Sequence, residues 1–141
     1  KINAAIANYT PENNRSQVKK TDHNTLILDC YNANPTSMKS ALESFALINH
    51  PNKYFIIGDM LELGEESIKE HQAISDLVKN LELNGSSVGP IFNSLKQHSF
   101  EKRFETKADA IAYFQTLNLA EKLILLKGSR GIGLESLENY L

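Results

Sequence analysis

Three polar strings hold side chains able to grip a ligand: Asp29-Cys30-Tyr31-Asn32-Ala33-Asn34-Pro35, Gly58-Asp59-Met60-Leu61-Glu62-Leu63-Gly64 and Lys127-Gly128-Ser129-Arg130-Gly131-Ile132-Gly133. Asp29 follows an apolar run, so its carboxylate could accept two hydroxyl hydrogen bonds of the kind a ribose offers. It fits a helix cap or a turn equally well. Asn32 and Asn34 each bring an amide donor and acceptor, or serve as turn residues and a cap before Pro35. Lys127, Ser129 and Arg130 surround a glycine with two cations and a hydroxyl. That suits a carboxylate or phosphate, which arginine engages through two parallel bonds; a charged turn is the plainer alternative. Asp59 and Glu62 could orient a cation or a basic side chain, or simply place acid before the next helix. His71 falls inside a helical stretch, where a lone histidine is usually structural. His23, His50 and His98 are scattered, and Cys30, with no histidine beside it, reads as a small buried apolar residue.

The elements that must position these strings follow from hydrophobic spacing. Ile2, Ala5, Ile6 and Tyr9 share a helical face that ends at Thr10-Pro11, and residues 12–16 form a polar connection. Residues 16–20 alternate like an edge strand, and apolar runs at 24–29, 53–58 and 122–127 predict buried strands, with weaker strands at 89–93 and 103–105. Helices are expected at about 35–49, 65–81, 107–117 and 133–141. Strands alternating with helices, each strand a continuous apolar run, predict an α/β fold: a mostly parallel sheet of about six strands with helices on both faces. Right-handed crossovers then carry every strand-to-helix loop to one edge of the sheet, where ligands bind in such folds.

Composition narrows the classes further. Fifteen Lys+Arg against 17 Asp+Glu leave a net charge of −2, which excludes a basic field for nucleic acid or an anionic membrane. The single cysteine excludes an internal disulfide and fits a reducing compartment. No apolar run reaches membrane-spanning length, and the first residues lack the apolar core of a signal peptide. A G-x-x-x-x-G-K-[ST] phosphate loop, a C-x-x-C pair and an H-E-x-x-H helix are all absent. Gly128, Gly131 and Gly133 do not have dinucleotide-fingerprint spacing and follow the last strand, which disfavours a nicotinamide site.

Asn14-Arg15-Ser16, the D-C-Y-N-A-N-P string, the G-D-M-L-E-L-G string with His71, and Lys127-Gly128-Ser129-Arg130 together resemble the C-terminal domain of the Mur ligases, in order and over nearly the whole chain. They are most similar to the branch that adds D-alanyl-D-alanine to UDP-N-acetylmuramoyl-tripeptide. The resemblance implies a three-layer, Rossmann-like domain of a bacterial cytoplasmic enzyme of peptidoglycan precursor synthesis. In that family ATP phosphorylates the peptide carboxylate and the dipeptide amine displaces phosphate from the acyl phosphate. ATP and Mg2+ are held mainly by a central domain, and the UDP-sugar by an N-terminal one.

By the same resemblance, Arg15 would approach the ATP phosphates near the hinge and Asp29 would bind the ribose hydroxyls. Tyr31, Asn32 and Asn34 would line the cleft near nucleotide and dipeptide, with Lys127, Ser129 and Arg130 facing the dipeptide carboxylate. Asp59, Glu62 and His71 would support their loop. Residues 1–12 would be the tail of the central domain and 13–141 the C-terminal domain, with no catalytic residue or metal ligand of its own, so that the isolated chain folds without turning over ATP. The alternative is a receiver-like phosphoacceptor domain, given Asp29, Asp59 and Lys127 at three strand ends. It is weakened by the lack of a second acid beside Asp29 and by Gly128 where proline usually follows the lysine.

Overall fold

In a computed structural model, residues 17–30 and 32–141 are described; the expected helix at residues 2–9 and the polar connection of residues 12–16 lie outside them. Among the described residues the sheet has six strands: β1 (Gln17–Lys20), β2 (Thr25–Asp29), β3 (Lys53–Gly58), β4 (Gly85–Val88), β5 (Lys102–Phe104) and β6 (Leu123–Lys127). Their spatial order is β1-β2-β6-β3-β4-β5. Only β1 runs antiparallel, and it lies at the edge with all four residues exposed. The helices are α1 (Pro35–Leu47), α2 (Ser67–Asn80), α3 (Pro90–Asn93) and α4 (Lys107–Leu117), with 3-10 turns at Gly64–Glu66 and Leu134–Tyr140.

Alternation along each strand sends side chains to two separate cores. Ile27, Phe55, Ile57, Leu123 and Leu125 pack beneath α1, α2 and α3, against Met38, Leu42, Phe45, Ile74, Val78 and Phe92. Leu26, Leu28, Tyr54, Ile56, Ile124 and Leu126 pack beneath α4 and the final 3-10 turn, against Phe114, Leu134 and Leu137. Both faces are therefore covered, which is why the central strands read as unbroken apolar runs.

Two expectations need correction. The strand expected at 89–93 is instead Gly85–Val88, and Pro90–Asn93 is a short helix. Gly89, at φ 132°, breaks the strand, and Pro90 starts the helical turn. Residues at 133–141 form a 3-10 segment, Leu134–Tyr140, and not an α-helix. No helix among the described residues is long and apolar enough to cross a membrane.

Candidate functional site

β2, β6 and β3 are neighbours and parallel, so their carboxyl ends bring residues 29–34, 127–133 and 58–64 to one edge. Asp29 and Lys127 are register partners across β2 and β6. Their side chains are each 1% exposed, and Lys127 Nζ lies 3.0 Å from Asp29 Oδ2. The same ammonium donates to the Asn32 carbonyl at 3.1 Å, pinning the turn that follows β2. Among the described residues, the buried Asp29 Oδ1 has no partner; neither does the buried Ser129 Oγ, two residues beyond β6, nor Ser87 Oγ on β4. A buried carboxylate oxygen without a donor is costly, and it is a ready acceptor for a hydroxyl brought by a ligand.

Asn34 caps α1. Its Oδ1 accepts the Ser37 amide at 2.9 Å, while Ser37 Oγ accepts the Asn34 amide at 3.1 Å. Pro35 occupies the first helical position, where its missing N–H costs nothing. The cap role weighed for Asn34 is thus its observed one. Asn32 and Arg130 are exposed at this edge. Lys127, expected on the acceptor side, directs its ammonium to Asp29 and Asn32 instead, leaving Arg130 as the exposed cation of that string. Arg15 and Tyr31 lie outside the described residues. Burial pushes the Cys30 thiol up to about 12, which fits an inert small side chain.

The end of β3 is built differently. Asp59 is fully buried, and both carboxylate oxygens accept amides at the start of α3: Ile91 at 2.7 Å and Phe92 at 2.9 Å. Gly89 has no room for a Cβ because the Asp59 carboxyl group occupies that space. His71, also fully buried, accepts the Met60 amide on Nε2 at 3.0 Å and donates from Nδ1 to the Ser67 carbonyl at 2.7 Å. That pair of partners requires the neutral Nδ1–H tautomer. The 3.9 Å approach of Nε2 to Asp59 Oδ1 is accordingly not an ion pair. Burial holds the imidazole below its ordinary 6.5, opposed by the Ser67 carbonyl, Asp59 and Glu70. Burial likewise raises the Asp59 carboxyl, opposed by the two amides and by His71. These bonds make Asp59 and His71 loop supports, as expected. They also remove the phosphoacceptor that a receiver-like domain would need.

Among the described residues, no group of three His, Cys, Asp or Glu side chains could hold a metal ion. The Asp29–Lys127 contact, spanning most of the chain, carries no sequence signal beyond the polar ends of two apolar runs.

The chain matches the family model for the Mur ligase, glutamate ligase domain, over residues 14–130. The UDP-N-acetylmuramoyl-tripeptide–D-alanyl-D-alanine ligase of Rickettsia prowazekii is 31% identical over 140 residues, covering 96% of this chain and 31% of that protein. The ligase of the same name from Treponema pallidum is 34% identical over 128 residues, covering 83% of this chain and 27% of that protein. A crystal structure of MurF from Acinetobacter baumannii aligns with a TM-score of 0.71 at 29% identity, covering 92% of this chain and 30% of that one. MurF ligase from Thermotoga maritima, in complex with ADP, shares the fold with a TM-score of 0.71 at 20% identity, over 87% of this chain and 29% of that one. The chain thus spans about a third of the length of the curated relatives it matches.

Proposed function

This chain belongs to the Mur ligase family through its glutamate ligase domain, and we propose that it serves as the C-terminal domain of an ATP-dependent ligase. The reaction is the joining of D-alanyl-D-alanine to UDP-N-acetylmuramoyl-tripeptide in the bacterial cytoplasm. Residues 13–141 would form the domain and residues 1–12 the tail of a central one. ATP transfers its γ-phosphoryl group to the tripeptide carboxylate; the dipeptide amine attacks that carbonyl, the bond to the phosphate oxygen breaks, and phosphate leaves. The chemistry rests on positioning and electrostatics more than on covalent catalysis.

This chain's share is binding and orientation. The observation that carries the reading is Asp29, whose Oδ2 is held by Lys127 while its buried Oδ1 is left to accept a ribose hydroxyl. Lys127 acts through Asp29 and the Asn32 turn, keeping the acceptor oxygen aimed. Ser129, whose hydroxyl has no partner among the described residues, and Arg130 are assigned the dipeptide carboxylate. Asn32 and Tyr31 would line the nucleotide cleft with Asn34, whose side-chain oxygen is already committed to the helix cap. Arg15 would approach the phosphates. Mg2+ is assigned, as the family resemblance implies, to the central domain.

A full-length ligase containing this chain should release phosphate only with ATP, the UDP-linked tripeptide and D-alanyl-D-alanine all present. The 141-residue chain alone should release none. Sustained turnover by the isolated chain would overturn the domain assignment. Failure of the full-length protein to consume the dipeptide would overturn the activity.

A further inference from the structure

His71 takes no part in the binding scheme above, yet it is a fully buried polar side chain with both ring nitrogens engaged. Its Nε2 fixes the Met60 amide at the point where the chain leaves β3 for the loop of residues 59–64. The next residue, Leu61, is 40% exposed and lies over Gly131, where an added Cβ would come within 2.9 Å of Leu61 Cδ1. A Cβ on Gly58 would meet Ile132 Cγ2 at 3.0 Å, so the loop after β3 and the loop after β6 are in close register. The second loop is tightly folded on itself, with the Ile132 and Gly133 amides both donating to the Ser129 carbonyl. Glu62, just beyond Leu61, sits at φ 64°. A non-glycine residue there costs about 1–2 kcal/mol and persists only where its surroundings dictate it. Met60, buried and anchored to His71, is the fixed point from which that turn starts.

We infer that His71 is a positioning residue: through Met60 and Leu61 it holds the loop of residues 128–133 in place, and so sets the placement of Ser129 and Arg130. The consequence for the acceptor dipeptide rests on the assignment of Ser129 and Arg130 made above, and the two parts are tested separately.

The first arm uses amide hydrogen exchange in the 141-residue chain. His71→Leu, which keeps bulk and removes the acceptor, should speed exchange at Ile132 and Gly133 about tenfold. His71→Gln, whose side-chain oxygen can take the Met60 amide, should restore most of the protection. Leu61→Ala, a change at a partly exposed position, should reproduce the loosening without disturbing the core, which keeps the test open if His71→Leu fails to fold. Unchanged exchange in Leu61→Ala, or equal loosening in His71→Leu and His71→Gln, overturns the inference.

The second arm uses the full-length ligase. Leu61→Ala should raise KM for D-alanyl-D-alanine about fivefold and leave KM for ATP within twofold, with the same split in His71→Leu and its reversal in His71→Gln. Loosened exchange with both KM values unchanged would keep the coupling and overturn the acceptor assignment of Ser129 and Arg130. Equal rises in the two KM values would overturn the positioning role.

Discussion

Two aspartates stand at the ends of the strands that flank β6, at the same edge of the sheet, and the protein treats them in opposite ways. Asp59, just after β3, has both oxygens taken by amides of α3 and a neutral histidine alongside. Asp29, at the end of β2, has one oxygen on Lys127 and the other, among the described residues, on nothing. Both are buried, so each withdraws a carboxylate from water, which is tolerated only when the charge is met by donors. Asp59 is met completely and is structural. Asp29 is met halfway, and the missing half is what a ligand can supply. Burial alone does not separate the two; unfilled hydrogen-bonding capacity does.

Removing Lys127 tests the contrast most severely. Lys127→Met strands a buried carboxylate and should destabilise the fold by about 3–5 kcal/mol, read as a fall in the urea midpoint. A loss near zero would mean that the pair is not buried as the geometry has it. Asp59→Ala leaves two amides at the start of α3 without acceptors and should cost about 2 kcal/mol by the same measurement. Because the site uses no atom of Asp59, its effect on KM for ATP should stay within twofold.

A smaller effect is expected from pH. The folded-state His71 titrates below its ordinary 6.5, so the unfolded chain takes up the proton first. The stability due to neutral His71 is complete above about 6.5 and drains away as pH falls below it. His50 and His98 shift in the same direction, also through burial. The informative quantity is therefore the difference in slope between the wild type and His71→Gln between pH 7 and pH 5. A steeper fall in the wild type sharpens the contrast between the saturated site and the open one; identical slopes would break it.

The strands that position the site were plain in the residues, because Leu26, Ile27, Leu28, Phe55, Ile56, Ile57 and Leu123–Leu126 fill two cores at once. β4 was not. Gly85-Ser86-Ser87-Val88 has only one large apolar side chain, and its burial depends on remote partners. Phe55 occupies the space any side chain at Gly85 would need, and the Tyr54 hydroxyl pairs with Ser86 Oγ. Propensity has no access to such contacts. The polar strings were likewise legible as strings, but not their internal division of labour. That Lys127 serves Asp29 depends on a parallel register between strands far apart in sequence. That His71 reaches Met60 depends on where the loop enters α2. The α-helix expected at the end fails for a local reason: Gly133 at φ 70° opens it, and tight 3-10 turns seat Leu134 and Leu137 on the sheet.

On the proposed function Asp29 Oδ1 accepts a ribose hydroxyl, and the direct measurement compares KM for ATP with KM for its 2′- and 3′-deoxy analogues in the full-length ligase. The wild type should discriminate against at least one analogue by roughly tenfold, as expected for a hydrogen bond to a charged group. Asp29→Ala should raise KM for ATP by a similar factor and abolish the discrimination, with KM for D-alanyl-D-alanine unchanged. An Asp29→Ala enzyme that keeps its KM for ATP and still discriminates between ATP and the analogues would contradict the account.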